Sequence, residues 1–472
     1  NLENNISKKI DKIHNLETYN MNIINDQIDF NFSRPLDIQK NLNLKKAESL
    51  YENSISLKKK NFLLEKHLKL LLIELFYCWY ESSDQFLSLS MSKRGYNSKS
   101  RYNPNNISSY TIEAVNLLKK VKLIDFFPGF FDRKTKKSRL TRIRASQSLQ
   151  NYFKDSLQFV DKKINHPKRE FVIMRDQLNN KVEYKDTFKT HEIREVLSEY
   201  NNLLSTCIID VPTYEKKFFI RSDKRKIAIS ETNSQANILF KKGSDNVEKF
   251  DGCWWNKIDI SLVNLFQKKF LINNNATSYV DLNDFFENYL LKQLNINRLK
   301  ISDDFSFTQI CKMISKGLKL ESYESLIKSL CLEKGNFFVD INISINDIRL
   351  KVDSFLKKNQ EISSHFFKGN LINWESVVAN IFLKLLVNVV PAKIPVFLIQ
   401  EKIYFPSDFQ QNILKTLDEI LEKELGSTNN LLKVYPCDSY NFKNKAFFSN
   451  IFSRKIKCSN RYLNRVSNQR LK

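Results

Sequence analysis

Apolar residues recur every three or four positions through NFLLEKHLKLLLIELFYCWY, residues 61–80, with Glu65, Lys66, Lys69 and Glu74 marking a polar side. That period predicts an amphipathic helix. Its most apolar part, residues 70–80, contains Glu74 and falls short of the roughly 18 residues of a membrane span, so it reads as a buried helix. FLSLSMS at 86–92 has the character of a short strand. Asn103-Pro104 marks a turn, and Ser108 or Ser109 suits an N-cap. A helix then runs through Ile112, Val115, Leu118 and Lys119. LIDFFPGFFDRKTKKSRLTRIRAS, residues 123–146, reads as strand, basic loop, strand. Helix, short strand, helix and basic hairpin is the order of a winged helix-turn-helix, whose second helix enters a groove while the wing straddles the backbone.

The rest of the chain alternates helical and extended patterns. FVIMRDQLNNKVEYKDTF suggests a hairpin across 171–185, followed by a helix from about 188 to 204, with Pro212 ending the next strand. SYVDLNDFFENYLLKQL at 278–294 reads as a strand running into a helix. The stretches at 307–318 and 323–335 are helical, and NWESVVANIFLKLLVNVVPAK at 373–393 predicts a long buried helix. IPVFLIQEKIYFPSDF then gives strand, polar turn and strand, with Glu401 and Lys402 at the turn. A helix over 407–425 ends at Gly426. These patterns predict a helix-rich α+β protein in five parts. Residues 1–60 form a polar arm with short helices, 61–150 a winged-helix-like domain, and 151–235 a connecting segment. Residues 236–425 form a second α/β unit and 426–472 a basic extension.

Charge sharpens this picture. The net charge is +24 and the pI about 9.5, a balance drawn to polyanions and most often to nucleic acid. Residues 93–144 hold fourteen Lys/Arg against Glu113, Asp125 and Asp132. An excess of eleven in about a ninth of the length is not the even spread that a Lys-rich codon bias would give. The candidate nucleic-acid contacts are Arg94, Lys99, Arg101, Lys119, Lys120, Arg133, Lys134, Lys136, Lys137, Arg139, Arg142 and Arg144. From Ser439 onward there are nine Lys/Arg and no acid.

Seven cysteines without a CxxC argue against a disulfide framework or zinc ribbon and for a reducing, intracellular compartment. That compartment would be a bacterial or phage-infected cytoplasm, or an organelle matrix, with an AT-rich genome. No secretory signal or membrane span is visible. There is no GxGxxG, P-loop, triad signature or metal-ligand cluster, so a metabolic enzyme has no support.

Several blocks recur in one order. They are EKFDGCWWNKI at 248–258, SYVDLNDF at 278–285, TQICK at 308–312, FFKGNLINWESVVANI at 366–381 and IPVFLIQEKI at 394–403. With SRYNPNNISSYT and the stretch 175–187, they resemble a divergent branch of the family A DNA polymerases and phage-type single-subunit RNA polymerases. The similarity is closest to a poorly characterised bacterial and phage group with an N-terminal winged-helix-like segment and a polymerase-like C-terminal half. It covers residues 90–410. The resemblance implies a palm and fingers unit, with Asp281 and Glu401 as catalytic and Mg²⁺-binding carboxylates. It implies Lys312 and Lys249 as nucleotide-binding groups.

This chain departs from that pattern at telling places. The triphosphate Arg is Thr308, the residues after the first acid are Asn283-Asp284, and the expected His-Asp-Ser is Gln400-Glu401-Lys402. Simpler roles stay open: Asp281 as a helix cap, Lys312 as an exposed helix residue, Glu401 and Lys402 as a solvated turn, Trp254 and Trp255 as packing. The sequence therefore yields two functional expectations. One is template-directed nucleotidyl transfer onto a primer. The other is a catalytically inactive structural, tethering or replication-initiator-type component of a nucleoprotein complex. Both take nucleic acid as partner, DNA in preference to RNA, with protein partners in a larger complex and no membrane.

Overall fold

A computed structural model describes residues 28–39, 61–96, 99–155, 169–207, 209–210, 218–220, 224–228, 236–241, 252–256, 271–286, 322–332, 343–358, 374–399, 401–425 and 432–437, except 177 and 274, with residues 51, 289, 313 and 360. The described residues are mixed α and β. They divide into two units, one within Asn1–Arg169 and Tyr214–Thr232, the other within Glu170–Thr213 and Asn233–Phe447.

The first unit is built on strand β1 (Ser33–Pro35), helix α1 (Phe62–Glu81) and strand β2 (Phe86–Leu89). The Asn61 side chain accepts the Leu64 N–H at 3.2 Å, capping α1 as a short polar residue should. Leu68, Leu71, Leu72 and Leu75 of α1 enter the core. The polar side expected for α1 is partly inverted, because Glu74 is fully buried. It faces Arg34 of β1 at 3.3 Å and accepts the Asp37 N–H at 3.2 Å. A buried carboxylate needs such partners, and this pairing brings residues 33–37 onto α1. The segment read as a polar arm thus contributes an edge strand.

Helix α2 (Tyr110–Lys120) buries Thr111, Ala114, Val115 and Leu118 and leads into β3 (Ile124–Phe127). At its end the Leu123 N–H donates to Leu118 O at 3.0 Å, with Lys122 at φ 56°. That is a Schellman stop, filled here by lysine where glycine is usual. A small hairpin follows, β4 (Phe130–Phe131) and β5 (Ser138–Arg139), then β6 (Thr141–Ala145) and helix α3 (Gln147–Asp155). The sheet order is β1-β2-β6-β3, parallel between β1 and β2 and antiparallel elsewhere. The alternating burial of β6 puts Ile143 and Ala145 in the core and Arg142 and Arg144 on the other face.

Two segments depart from the expected domain limits. Residues 214–232, expected in a connecting region, belong to the first unit, where the Lys226 N–H donates to Asn31 O at 2.9 Å. The hairpin expected across 171–185 reduces to a single bridge between Arg175 and Lys181. Strand β7 (Val172–Arg175) takes its main pairing elsewhere, parallel to a strand more than sixty residues on. Its apolar run is satisfied by a partner that local periodicity cannot identify.

In the second unit, helix α4 (Phe188–Thr206) opens with a capping box between Thr187 and Thr190. Strand β8 (Ala236–Lys241) pairs with β7 and with β9 (Gly252–Asn256). Strand β10 (Thr277–Asp281) is followed by helices α5 (Tyr323–Leu332), α6 (Ile345–Lys358) and α7 (Trp374–Val389). Then come β11 (Phe397–Ile399), β12 (Lys402–Pro406), helix α8 (Gln410–Leu425) and β13 (Tyr435–Pro436).

The long buried helix at 373–393 is α7, one turn shorter than its sequence pattern. Its Phe382 meets the Trp254 ring at 4.7 Å, so Trp254 is a packing residue. The last sheet has the order β11-β12-β10-β13, with every neighbouring pair antiparallel. Strand, helix, hairpin, helix, strand in that order is a split βαβ arrangement. The helix expected at 307–318 and the tail from Ser439 lie outside the described residues, apart from buried Met313.

Candidate functional site

Two places hold the candidate residues. The first is the basic face of the first unit. His67 anchors the start of α2: its Nδ1–H donates to Leu63 O at 2.6 Å, leaving Nε2 to accept the Ser108 N–H at 2.9 Å. Ser108, read as a possible N-cap, is thus held by an imidazole, and Ser109 makes no side-chain cap. Burial pushes the His67 pKa below its ordinary value; the Lys66 charge adds to this, while the bond to Leu63 and the Glu113 charge oppose it. The unfolded chain then binds the proton more readily than the folded one. The stability that neutral His67 contributes is complete above about pH 6.5 and is lost as pH falls toward the lower folded value. Hydrogen-exchange protection of amides 110–115, corrected for intrinsic rates, is therefore expected to drop between about pH 7 and pH 5. His67→Gln should flatten that dependence, and an equally pH-sensitive variant would contradict the role.

The hairpin that follows α2 is tightly specified. The Gly129 N–H donates to Thr141 Oγ1 at 3.0 Å, and a Cβ on Gly129 would lie 2.5 Å from Arg139 O. No other residue fits this backbone approach without a shift. At the tip, Asp132 N–H donates to Lys137 O at 2.8 Å. The Asp132 carboxylate accepts the Lys134 N–H at 2.9 Å and the Thr135 hydroxyl at 2.5 Å. Lys136 takes a left-handed φ of 54°. The tip is thus internally bonded, and Arg133, Lys134, Lys136 and Lys137 are exposed on it. Lys119 and Lys120 are exposed at the end of α2, with the Lys119 ammonium 4.6 Å from the Phe126 ring. Arg94 is exposed in the one-turn helix Lys93–Gly95, and Lys99 and Arg101 lie in the turn before α2.

The remaining three arginines are engaged within the protein. Arg139 lies 3.8 Å from the Phe30 ring and donates to Pro128 O at 3.1 Å. Arg142 donates to Ser88 Oγ at 2.7 Å, and burial lowers its pKa to about 10. Arg144 pairs with Asp125 at 2.8 Å. Charge counting cannot separate these sheet-bracing arginines from the exposed ones. It also passes over the aromatic residues of the hairpin, Phe130 and Phe131, which are 51% and 66% exposed.

The second place is the end of β10 and the turn between β11 and β12. The register sets Asp281 opposite Lys402, and the Leu282 N–H donates to Glu401 O at 2.9 Å. The register therefore places Asp281 and Glu401 at the same end of the sheet. Asp281 also caps the short helix Leu282–Phe285, accepting the Asn283 N–H at 3.0 Å. Its other oxygen faces the Lys402 ammonium at 3.7 Å. Burial raises the pKa of Asp281 and of Glu401; the Asn283 amide, in reach of Glu401, opposes the shift there. Trp374 Nε1–H fixes that Asn283 side chain by donating to its Oδ1 at 3.2 Å. Asn283 is thus a positioning residue that carried no role in the sequence reading. Lys249 and Lys312 lie outside the described residues.

Mg²⁺ on Asp281 and Glu401 requires two carboxylates facing a common point with free oxygens. Here Asp281 has one oxygen on a backbone N–H and the other on an ammonium. No group of three or more His, Cys, Asp or Glu among the described residues is placed to hold a metal. To hold a pair of divalent ions, Asp281 would have to give up its contact with the Lys402 ammonium.

Among the described residues, Cys78, Cys207 and Cys437 are buried and Cys253 and Cys331 are half-buried. No helix among them is long and apolar enough to cross a membrane. Compared with known proteins, the chain matches no family model, no curated protein and no solved structure.

Proposed function

We propose that this chain is a nucleic-acid-binding protein, acting on DNA in preference to RNA. Its first unit is a winged helix-turn-helix. Its second unit is a polymerase-like palm kept as a scaffold without efficient nucleotidyl transfer. One observation carries the binding reading: strands β2, β6 and β3 are adjacent in that order, α2 runs directly into β3, and the connection to β6 is a hydrogen-bonded hairpin with four exposed cations. In such a unit α2 enters the groove and the hairpin tip rests on phosphate. The split βαβ order, with Asp281 ending its first strand and Glu401 at its hairpin turn, supports the palm reading.

Lys402 supports loss of catalysis. Its ammonium sits against Asp281 and supplies the positive charge that a metal would bring, without a metal's open coordination positions. The chain then serves as a structural, tethering or initiator-type component of a nucleoprotein complex. The second reading, nucleotidyl transfer through Asp281 and Glu401, is favoured by the placement of those two residues at one end of the sheet. Primer extension with Mg²⁺ on a primed template separates the readings. The expected result is extension no greater than that of Asp281→Ala, with both proteins binding DNA equally. Extension abolished by Asp281→Ala would overturn the scaffold reading.

A further inference from the structure

We propose that the β4–β5 hairpin is a base-stacking wedge, so that the nucleic acid this protein takes carries unpaired bases next to a duplex. The inference rests on the nucleic-acid reading above and names the substrate class for that surface. Single exposed apolar residues are ordinary. Here, however, Phe130 and Phe131 are consecutive, 51% and 66% exposed, and Leu140 beside them is 52% exposed. All three flank the cationic tip at 133–137.

Strand alternation turns the two rings to opposite faces of the hairpin. The pairing of Phe130 with Arg139 and of Phe131 with Ser138 fixes which face each takes. On the first face, the Arg139 guanidinium lies 3.8 Å from the Phe30 ring and 5.4 Å from the Phe130 ring. A base laid on Phe130 would extend that stack of planar groups. Phe131 is open on the other face.

Cations alone would suit a phosphate backbone. An aromatic ring on each face adds what a duplex wall cannot use and an exposed base can. Base–aromatic stacking is tolerant of sequence and changes affinity on the order of tenfold or more per base. The hairpin is also braced by the Gly129–Thr141 and Asp132–Lys137 hydrogen bonds, on either side of the two rings. The surrounding positive charge selects a polyanion over an apolar protein surface as the occupant.

The test compares the full-length protein on a blunt duplex and on the same duplex with a forked single-stranded end, by fluorescence anisotropy. The forked probe carries 2-aminopurine at its first unpaired position. The expected result is a preference for the fork of about tenfold or more, with 2-aminopurine quenching on binding. Phe130→Ala/Phe131→Ala should lose the preference and the quenching while keeping blunt-duplex affinity within about twofold, since both side chains are exposed. Phe131→Trp should retain both. A wild type without preference, or a double alanine variant that keeps it, overturns the wedge while duplex binding stands. A wild type that binds neither probe overturns the underlying reading as well. Phenylalanine-dependent binding to anionic vesicles of phosphatidylglycerol and phosphatidylcholine, without fork preference, would assign the rings to a membrane surface instead.

Discussion

Replacing Arg133, Lys134, Lys136 and Lys137 with alanine is expected to weaken duplex binding by on the order of 10²–10³-fold at about 0.1 M salt. The cause is counterion release. Each phosphate neutralised by a Lys or Arg steepens the logarithmic salt dependence by about 0.9. If two to four of these residues rest on phosphate, the variant's slope should be shallower by roughly 2–4 units. All four are exposed at a tip whose fold comes from Asp132 and Thr135, not from the cations. Fold stability should therefore hold within about 0.5 kcal/mol. Arg142→Ala and Arg144→Ala give the opposite pattern, because these side chains brace Ser88 and Asp125. They should lower the melting temperature and leave the salt slope nearly unchanged. A quadruple variant with the wild-type slope would remove the hairpin from the interface.

Lys402→Ala is expected to destabilise the second unit by about 1–2 kcal/mol near neutral pH, a value discounted from that of a buried pair because both side chains are part-exposed. The sign with pH is specific. Burial already raises the Asp281 pKa, and Lys402 is one of the groups that lowers it. Without the ammonium the folded-state pKa rises further, so the folded state holds its proton more tightly than the unfolded chain does. The cost should then shrink as pH falls through the raised folded pKa, because protonated Asp281 no longer needs the ammonium. With the ammonium gone, Asp281 and Glu401 are left as neighbouring carboxylates, and Mn²⁺ or Mg²⁺ should stabilise the variant. At one hundred times the dissociation constant that gain would be about 2.7 kcal/mol. The wild type and a Lys402→Ala/Asp281→Ala variant should show no such gain. Divalent stabilisation of the wild type equal to that of the variant would contradict the view that Lys402 fills the metal's electrostatic role.

Much of the fold is readable from local pattern, and the failures share a cause. The helix predicted over 61–80, the helix after Asn103-Pro104, the basic hairpin and the long helix before Pro391 each carry a strong period or turn signal, and each is present. Residues 33–35 and 172–175 were misplaced because their partners are distant in sequence. A short extended segment does not state in its own residues which strand it will join. Glu74 misled for a similar reason: a charged residue in an apolar run marks a solvent face unless an arginine forty residues earlier comes to meet it.

At the candidate sites, charge density found the hairpin but could not tell Lys134, open to solvent, from Arg142, spent on Ser88. The meeting of Asp281 and Glu401 was legible from the order of motifs. The interposed Lys402 was legible as a neighbour of Glu401, but its placement opposite Asp281 needed the strand register. Asn283, which links Trp374 to Asp281 and Glu401, stood out only as a departure from the family pattern, because an asparagine after a strand ordinarily means a turn.

On the proposed reading, nucleic acid rests on α2 and the hairpin that follows it. Hydrogen-exchange mass spectrometry of the full-length protein, with and without a duplex oligonucleotide in moderate salt, tests this most directly. New protection is expected, concentrated in peptides covering 110–122 and 128–141. Binding that leaves those peptides unchanged and protects other segments would contradict it.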